Sequence, residues 1–232
     1  MQDCQSRDKI LSNIAEVRSQ MQMALERSGR DESEVLLVGV SKTVDLPEVA
    51  VAIEAGIHDF GENRTSEFKR KQEAFPNENW HFIGRIQTNK LKDVVGRACL
   101  IHSVASLHAL DTIEKLAAKL GIVQKVLIEV NVSGEESKDG FSQDELEDVL
   151  HHCEELGHVE VNGFMTMAPL GELDVARRVF RRLREIRDVF KVEFKSSVNV
   201  NLEELSMGMT QDYTEAIEEG ATMIRLGRSI FA

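Results

Sequence analysis

The sequence predicts a (β/α)8 TIM barrel, an α/β fold, with one extra helix at the N-terminus and the whole of residues 1–232 in a single domain. Three observations carry that expectation. Short apolar runs of buried-strand character recur eight times, each except the last followed by room for a helix. Eight such units in 232 residues fall near the lower end of the size range for this barrel. An open doubly wound sheet would show the same alternation, but no GxGxxG follows the first strand and the strand number favours closure. With only 3 prolines and no Ser/Gly tract, nothing marks a domain boundary, and 42% hydrophobic content suits one packed core.

The elements are justified in turn. Ile10, Ile14, Val17, Met21 and Leu25 recur at helical spacing and make an apolar stripe. VLLVGV (35–40) is short, apolar and rich in β-branched residues, as a parallel strand buried on both faces must be. Leu46 to Ala55 reads as helix, with Pro47 tolerated in the first turn and Gly56 stopping it. Further strands are expected at 57–60, 80–83, 100–104, 125–131, 159–163, about 204–207 and 222–226. Helices are expected at 63–74, 87–95, 106–120, 142–156, 172–190 and 211–219.

Composition excludes several classes. Twenty-eight Lys+Arg against 40 Asp+Glu leave a net charge of −12, which repels phosphate backbones and argues against a nucleic-acid binder. No apolar run approaches the ~20 residues that span a bilayer, so no membrane partner is expected. MQDCQSRDKI has no positively charged lead into an apolar signal core. Cys4, Cys99 and Cys153 lie far apart with no CxxC, against both a disulfide framework and a zinc knuckle. A soluble protein of a reducing, cytoplasmic compartment is expected.

In such barrels chemistry gathers at the C-terminal ends of the strands. Those positions hold Ser41-Lys42-Thr43, Gly61-Glu62-Asn63, Gly84-Arg85, Asn131, Met165-Thr166-Met167, Ser206-Met207-Gly208-Met209-Thr210 and Arg225-Leu226-Gly227-Arg228-Ser229. A lysine placed as Lys42 is can enter the barrel mouth, where desolvation frees its amine for Schiff-base chemistry; the plainer reading is a solvated loop lysine. The last two segments offer hydroxyls and backbone N–H groups where barrels often bind phosphate, or else form ordinary turns with Thr210 or Asp212 as helix caps. Together with Lys42 they suggest a phosphorylated carbonyl compound held at both ends, for which pyridoxal 5′-phosphate (PLP) is the obvious candidate. Other features read as structural. His151 and His152 diverge on a helix and make a poor metal pair, so no metal site is expected. His81 reads as buried or supporting. Arg177, Arg181 and Arg184, and the acidic runs Glu135-Glu136 and Glu218-Glu219, read as solvated faces. Met165 and Met167 read as core filler placed where a cofactor would sit.

At these residues the chain resembles the pyridoxal phosphate homeostasis protein family, also called YggS/PROSC. The blocks are VGVSKT (38–43), FGEN (60–63), WHFIG (80–84), IQTNK (86–90), MTM (165–167) and LSMGMTQDYTEAIEEGATMIRLGRSIF (205–231). The resemblance implies a barrel like the N-terminal domain of alanine racemase, the type III fold of PLP enzymes. Lys42 then matches the lysine that forms the Schiff base, and Arg225 the arginine facing the pyridine nitrogen. Ser206, Gly227 and Arg228 fall on phosphate-binding positions, and Asn63 on a polar contact beside the cofactor. The implied function is to hold, buffer and deliver PLP inside the cell, with apo PLP-dependent enzymes as partners and without established catalysis. The sequence departs from many relatives in Thr210 for Ser, Ser66 for Gln, Arg228 for Thr, and an end at Ala232 without their glycine and basic tail.

A guanidinium is effectively always protonated, so Arg225 facing the ring nitrogen disfavours a proton there and weakens the ring as an electron sink. The racemase relatives also need a tyrosine base in an active site completed by another subunit and a separate C-terminal domain, for which a 232-residue barrel leaves no room. The only tyrosine, Tyr213, sits where a helix should start and reads as structural or near phosphate. A monomeric carrier is therefore expected. The alternatives are a narrow-specificity PLP-dependent amino-acid racemase or decarboxylase, and after it a cofactor-free Schiff-base aldolase using Lys42 on a sugar phosphate. A pure interaction scaffold explains neither Lys42 nor the last loop.

Overall fold

Eight parallel strands pair in sequence order and close on themselves, β1 against β8 through Leu36 to Gly39. They are β1 (Leu36–Val40), β2 (Asp59–Glu62), β3 (Asn79–Phe82), β4 (Leu100–Val104), β5 (Gln124–Glu129), β6 (Val159–Met165), β7 (Val200–Ser206) and β8 (Met223–Leu226). The helices are α1 (Gln2–Ser28), α2 (Leu46–Glu54), α3 (Thr65–Ala74), α4 (Leu107–Leu120), α5 (Leu146–Glu154), α6 (Leu173–Glu193), α7 (Tyr213–Glu218) and α8 (Arg228–Phe231). This computed structural model describes residues 2–135 and 139–232, the first four by backbone alone, so Glu136 and the Cys4 side chain lie outside the described residues. The fold is the TIM barrel that the alternation predicts. Among the described residues no helix is long and apolar enough to cross a membrane.

Local chemistry sets the helix ends. At α2 the Asp45 carboxylate accepts from the Leu46 N–H, and Glu48 reaches back to the Asp45 N–H at 3.1 Å in a capping box. Gly56, at φ +80°, then turns the chain out of the helix. Ser106 caps α4 through the Ala109 N–H. The stripe Ile10, Ile14, Val17, Met21 and Leu25 is buried, and α1 lies on α2, α7 and α8. Its Asn13 amide donates to the carbonyls of Ile230 and Ala232 at 3.0 and 3.1 Å, which ties the first helix to the last turn.

Four expectations shift. Strand 57–60 is observed as Asp59–Glu62, because the Ile57 N–H still returns to the Ala52 carbonyl at 3.0 Å and belongs to the helix exit. β7 begins at Val200 rather than 204: Val200 and Leu202 are buried in the main core while Asn201 and Glu203 are exposed, an alternation hidden by its polar half. The interval 87–95 is a 3-10 segment, Thr88–Asp93. Arg177, Arg181 and Arg184 do not face solvent alone. They pair with Glu218 and Glu219 at the end of α7 at 2.7, 2.7 and 3.7 Å, so two charged runs read separately are one helix–helix contact.

Strand alternation divides the interior in two. Phe60, Trp80, Phe82, Ile101, Val126, Ile128, Phe164, Leu205 and Ile224 point outward into the main core beneath the helices. The opposite parity points into the barrel. There Leu100, Leu127, Met165 and Met223 form a small separate apolar cluster against Leu36. On the same parity stand Asp59, His81, His102, Glu129, Ser206 and Arg225, all but Asp59 buried. Barrel interiors are usually filled by aliphatic layers, and here one layer is polar.

Candidate functional site

At the C-terminal mouth of the barrel lies a cavity of about 310 Å³, at the small end of the range for small-molecule sites. Its wall is built from Lys42 after β1, Asn63 after β2, Arg85 after β3, Met167 after β6, residues 209–212 after β7, and Arg225, Gly227 and Arg228 at β8. Five of the six residues singled out in the sequence thus meet in one cavity. Ser206 does not line it. Its side chain is fully buried, with its hydroxyl on Arg225 and His102.

Lys42 is exposed within this mouth, so the expected desolvation of its amine is not present. What is buried is the support beneath it. Ser41 donates its hydroxyl to Glu62 Oε1 at 2.7 Å, and its N–H bonds the Gly61 carbonyl at 3.1 Å. From α3, the Lys71 ammonium reaches Glu62 Oε1 at 2.5 Å and the Ser41 carbonyl at 2.7 Å. Both members of that ion pair are fully buried. Asn63 is placed by Gly84, where a Cβ would come within 2.5 Å of the Asn63 carbonyl oxygen.

The far side of the cavity is a cup of backbone. Gly208 has φ +92°, and a Cβ there would lie 2.5 Å from the Ala216 side chain, so the turn after β7 requires glycine. The Met209 N–H donates to Asp212 Oδ1 at 2.7 Å. Burial pushes the Asp212 carboxyl up, against the Met209 hydrogen bond and the Arg225 charge, which pull it down. The Ser229 hydroxyl bonds the Thr210 hydroxyl at 2.8 Å and joins the two loops. Gly227 has no side chain to cap α8, and the Thr210 hydroxyl accepts from the Ser229 N–H of its first turn at 3.4 Å; a Cβ at Gly227 would stand 3.1 Å from the Val40 carbonyl oxygen.

Between amine and cup sits Arg225. Its guanidinium donates to the Ser206 hydroxyl at 2.5 Å and to the Thr166 carbonyl at 3.1 Å. Burial lowers it to about 10, opposed by Glu129 and Asp212, so it remains a cation at neutral pH. Glu129 shows the converse effect. Burial and the charge of Asp139 raise it to about 7, while Arg225 and Arg85 hold it down.

Sequence reasoning missed the supports more than the wall. Lys71 carries no signal in a helix whose other lysine, Lys69, is exposed. His102 and Glu129 do carry one, a polar residue on the inward parity that the apolar Leu100 and Leu127 share. Away from the mouth, Glu147, His151 and Glu193 approach one another but are exposed, and His151 already meets Glu154 at 3.1 Å.

Residues 7–232 match the family described as "Alanine racemase, N-terminal domain". A pyridoxal phosphate homeostasis protein of Aquifex aeolicus is 44% identical, covering 94% of this chain and 95% of its own. A protein of unknown function from Bifidobacterium adolescentis, known from its crystal structure, superposes with a TM-score of 0.92 at 33% identity, over 97% of this chain and 96% of that one. PipY of Synechococcus elongatus, solved with PLP bound, superposes with a TM-score of 0.82 at 30% identity, over 96% of this chain and 100% of that one. A barrel closed in this order, with an N-terminal helix, a lysine after β1 and a backbone cup after β7 and β8, belongs to the alanine racemase N-terminal domain family, among the pyridoxal phosphate homeostasis proteins.

Proposed function

We propose that this chain binds PLP covalently through Lys42 and holds it for delivery to apo PLP-dependent enzymes, as a monomeric cytoplasmic carrier without turnover of its own. The observation that carries the reading is one cavity with a primary amine at one side, a cup of backbone and hydroxyls at the other and a buried guanidinium between them. The donor set suits an anion that also has a carbonyl group and a ring nitrogen acceptor, which is the chemistry of PLP. The names of its relatives support the same reading.

When bound, PLP supplies an aldehyde that condenses with an amine, releasing water, and a ring able to accept electrons. Lys42 contributes the amine, on a loop braced by Ser41, Glu62 and Lys71. Gly227 and Arg228 hold the phosphate through backbone N–H groups that a helix start leaves unpaired, with the Arg228 charge beside them. Asn63 offers a polar contact, and Arg225 donates to the ring nitrogen. Ser206 acts through Arg225 rather than as a wall of the cup.

Two features favour carrier over enzyme. Arg225 stays protonated and keeps a proton off the ring nitrogen, which weakens carbanion stabilisation. Tyr213, the only tyrosine, is the first residue of α7 and packs half-buried against the main core, not on the cavity wall. The test is the visible spectrum of the protein given PLP, run beside Lys42→Ala, with α-deuterium loss measured for a panel of amino acids. The reading expects a yellow band in the wild type alone and no exchange. Equal bands in both proteins would remove Lys42 as the anchor. Exchange dependent on Lys42 would establish a PLP enzyme, and failure of either protein to take up PLP would overturn the reading as a whole.

A further inference from the structure

A line of hydrogen bonds crosses the inside of the barrel beneath the cavity. Asp59 Oδ1 lies 3.0 Å from His81 Nε2, and His81 Nδ1 lies 2.9 Å from His102 Nε2. His102 Nδ1 lies 2.8 Å from the Ser206 hydroxyl, which accepts from Arg225 at 2.5 Å. His81 and His102 meet nearly edge to face, at 75° and 5.1 Å between centroids. Both histidines and Ser206 are buried. Polar side chains so placed are costly unless each is satisfied.

The direction of the line follows from its two ends. A carboxylate only accepts, so His81 donates through Nε2–H to Asp59 and, when neutral, accepts at Nδ1. His102 must then donate through Nε2–H and accept at Nδ1. Full burial, with His81 and Arg225 adding to it, keeps His102 well below the usual histidine range, hence neutral. At the other end a guanidinium only donates, so the Ser206 oxygen accepts from Arg225 and its proton goes to His102. Both ends give the same answer, and every group is satisfied once. The opposite tautomer of His102 would aim two donors at Ser206 and strand the hydroxyl proton.

Among the described residues no carboxylate lies within ion-pair distance of Arg225. Glu129 and Asp212 act on its charge from beyond that distance, its direct side-chain hydrogen bond runs into a relay that ends on Asp59, and N–H groups beyond the two already engaged remain for the cavity that Arg225 lines.

We propose that Asp59, His81, His102 and Ser206 form a one-way hydrogen-bond relay that positions Arg225 and sets how strongly it donates to a heteroaromatic nitrogen in the cavity. They are positioning residues, and the ligand side of the proposal rests on the PLP reading. The first test needs no ligand. Nitrogen–proton correlation spectra of the imidazoles should show His81 and His102 both as Nε2–H tautomers, and an Nδ1–H tautomer at either would overturn the relay. The second is PLP binding followed by absorbance for the wild type, His102→Phe and Asp59→Asn. Losing one charge-linked hydrogen bond corresponds to a drop of roughly tenfold in affinity for His102→Phe, with a shift of the visible band. Asp59→Asn, remote from the cavity, keeps an amide oxygen that can still accept from His81 at a side chain only 15% exposed, and should move band and affinity in the same direction by less, with its fold checked by thermal melt. Wild-type binding with both folded variants unchanged in band and affinity would overturn the proposal. If the wild type takes up no PLP, the functional reading fails instead, and the tautomers still decide the relay.

Discussion

Replacing Glu129 by glutamine should stabilise the protein, increasingly so as the pH rises. The side chain stands on the inward face of β5, almost fully buried, facing Arg225, Arg85 and Asp139. Its carboxyl is raised from 4.5 to about 7, chiefly by burial. A carboxyl raised in the folded state binds its proton more tightly there than in the unfolded chain. Below pH 4.5 both states are protonated and the group contributes nothing. Between pH 4.5 and about 7 the unfolded chain has released a proton that the folded protein still holds, so stability falls with rising pH. The full loss, for a rise of that size at 1.36 kcal/mol per unit, is about 3 kcal/mol. Glutamine keeps the shape and cannot titrate. For a chain of this length each kcal/mol moves Tm by ~2–4 °C, so the variant's advantage should grow by roughly 6–12 °C from pH 4.5 to well above pH 7. Thermal melts of both proteins across that range read it directly, because every other titrating group cancels in the difference. A Tm difference that stays flat with pH would refute the reasoning.

Other substitutions test the remaining supports. Lys71→Met leaves the Glu62 carboxylate buried without its partner and should cost about 3–5 kcal/mol, while the double variant with Glu62→Leu recovers most of the melting temperature. Gly208→Ala places a methyl 2.5 Å from Ala216 at φ +92°, and should lower affinity for inorganic phosphate and PLP together in equilibrium titrations. Thr210→Val removes the hydroxyl that Ser229 bonds, and should weaken phosphate more than it weakens pyridoxal, which lacks the anion.

The barrel was legible because the strands are short apolar runs separated by stretches of helical period, a pattern that needs no knowledge of what touches what. β7 was half hidden because Asn201 and Glu203 face solvent, and only Val200 and Leu202 carry the strand signal. The site wall was legible for a similar reason. Lys42, Asn63, Arg225, Gly227 and Arg228 follow strands at the chemical end of the barrel, where position in sequence already fixes position in space. The supports were not. Lys71 reaches Glu62 across a helix–strand contact, and His81 meets His102 on the neighbouring strand, pairings that depend on strand register. The family resemblance places Ser206 among the phosphate contacts, and position in sequence does not show that its hydroxyl meets Arg225 and His102. The inward parity of β7 turns it behind Arg225 instead.

The central claim is that Lys42 carries the cofactor, and reductive trapping tests it most directly. The protein is loaded with PLP, reduced with borohydride, digested and mapped by mass. The account predicts one modified site, at Lys42, and no stable label in Lys42→Ala. Label on another lysine, or label that survives in Lys42→Ala, would contradict it.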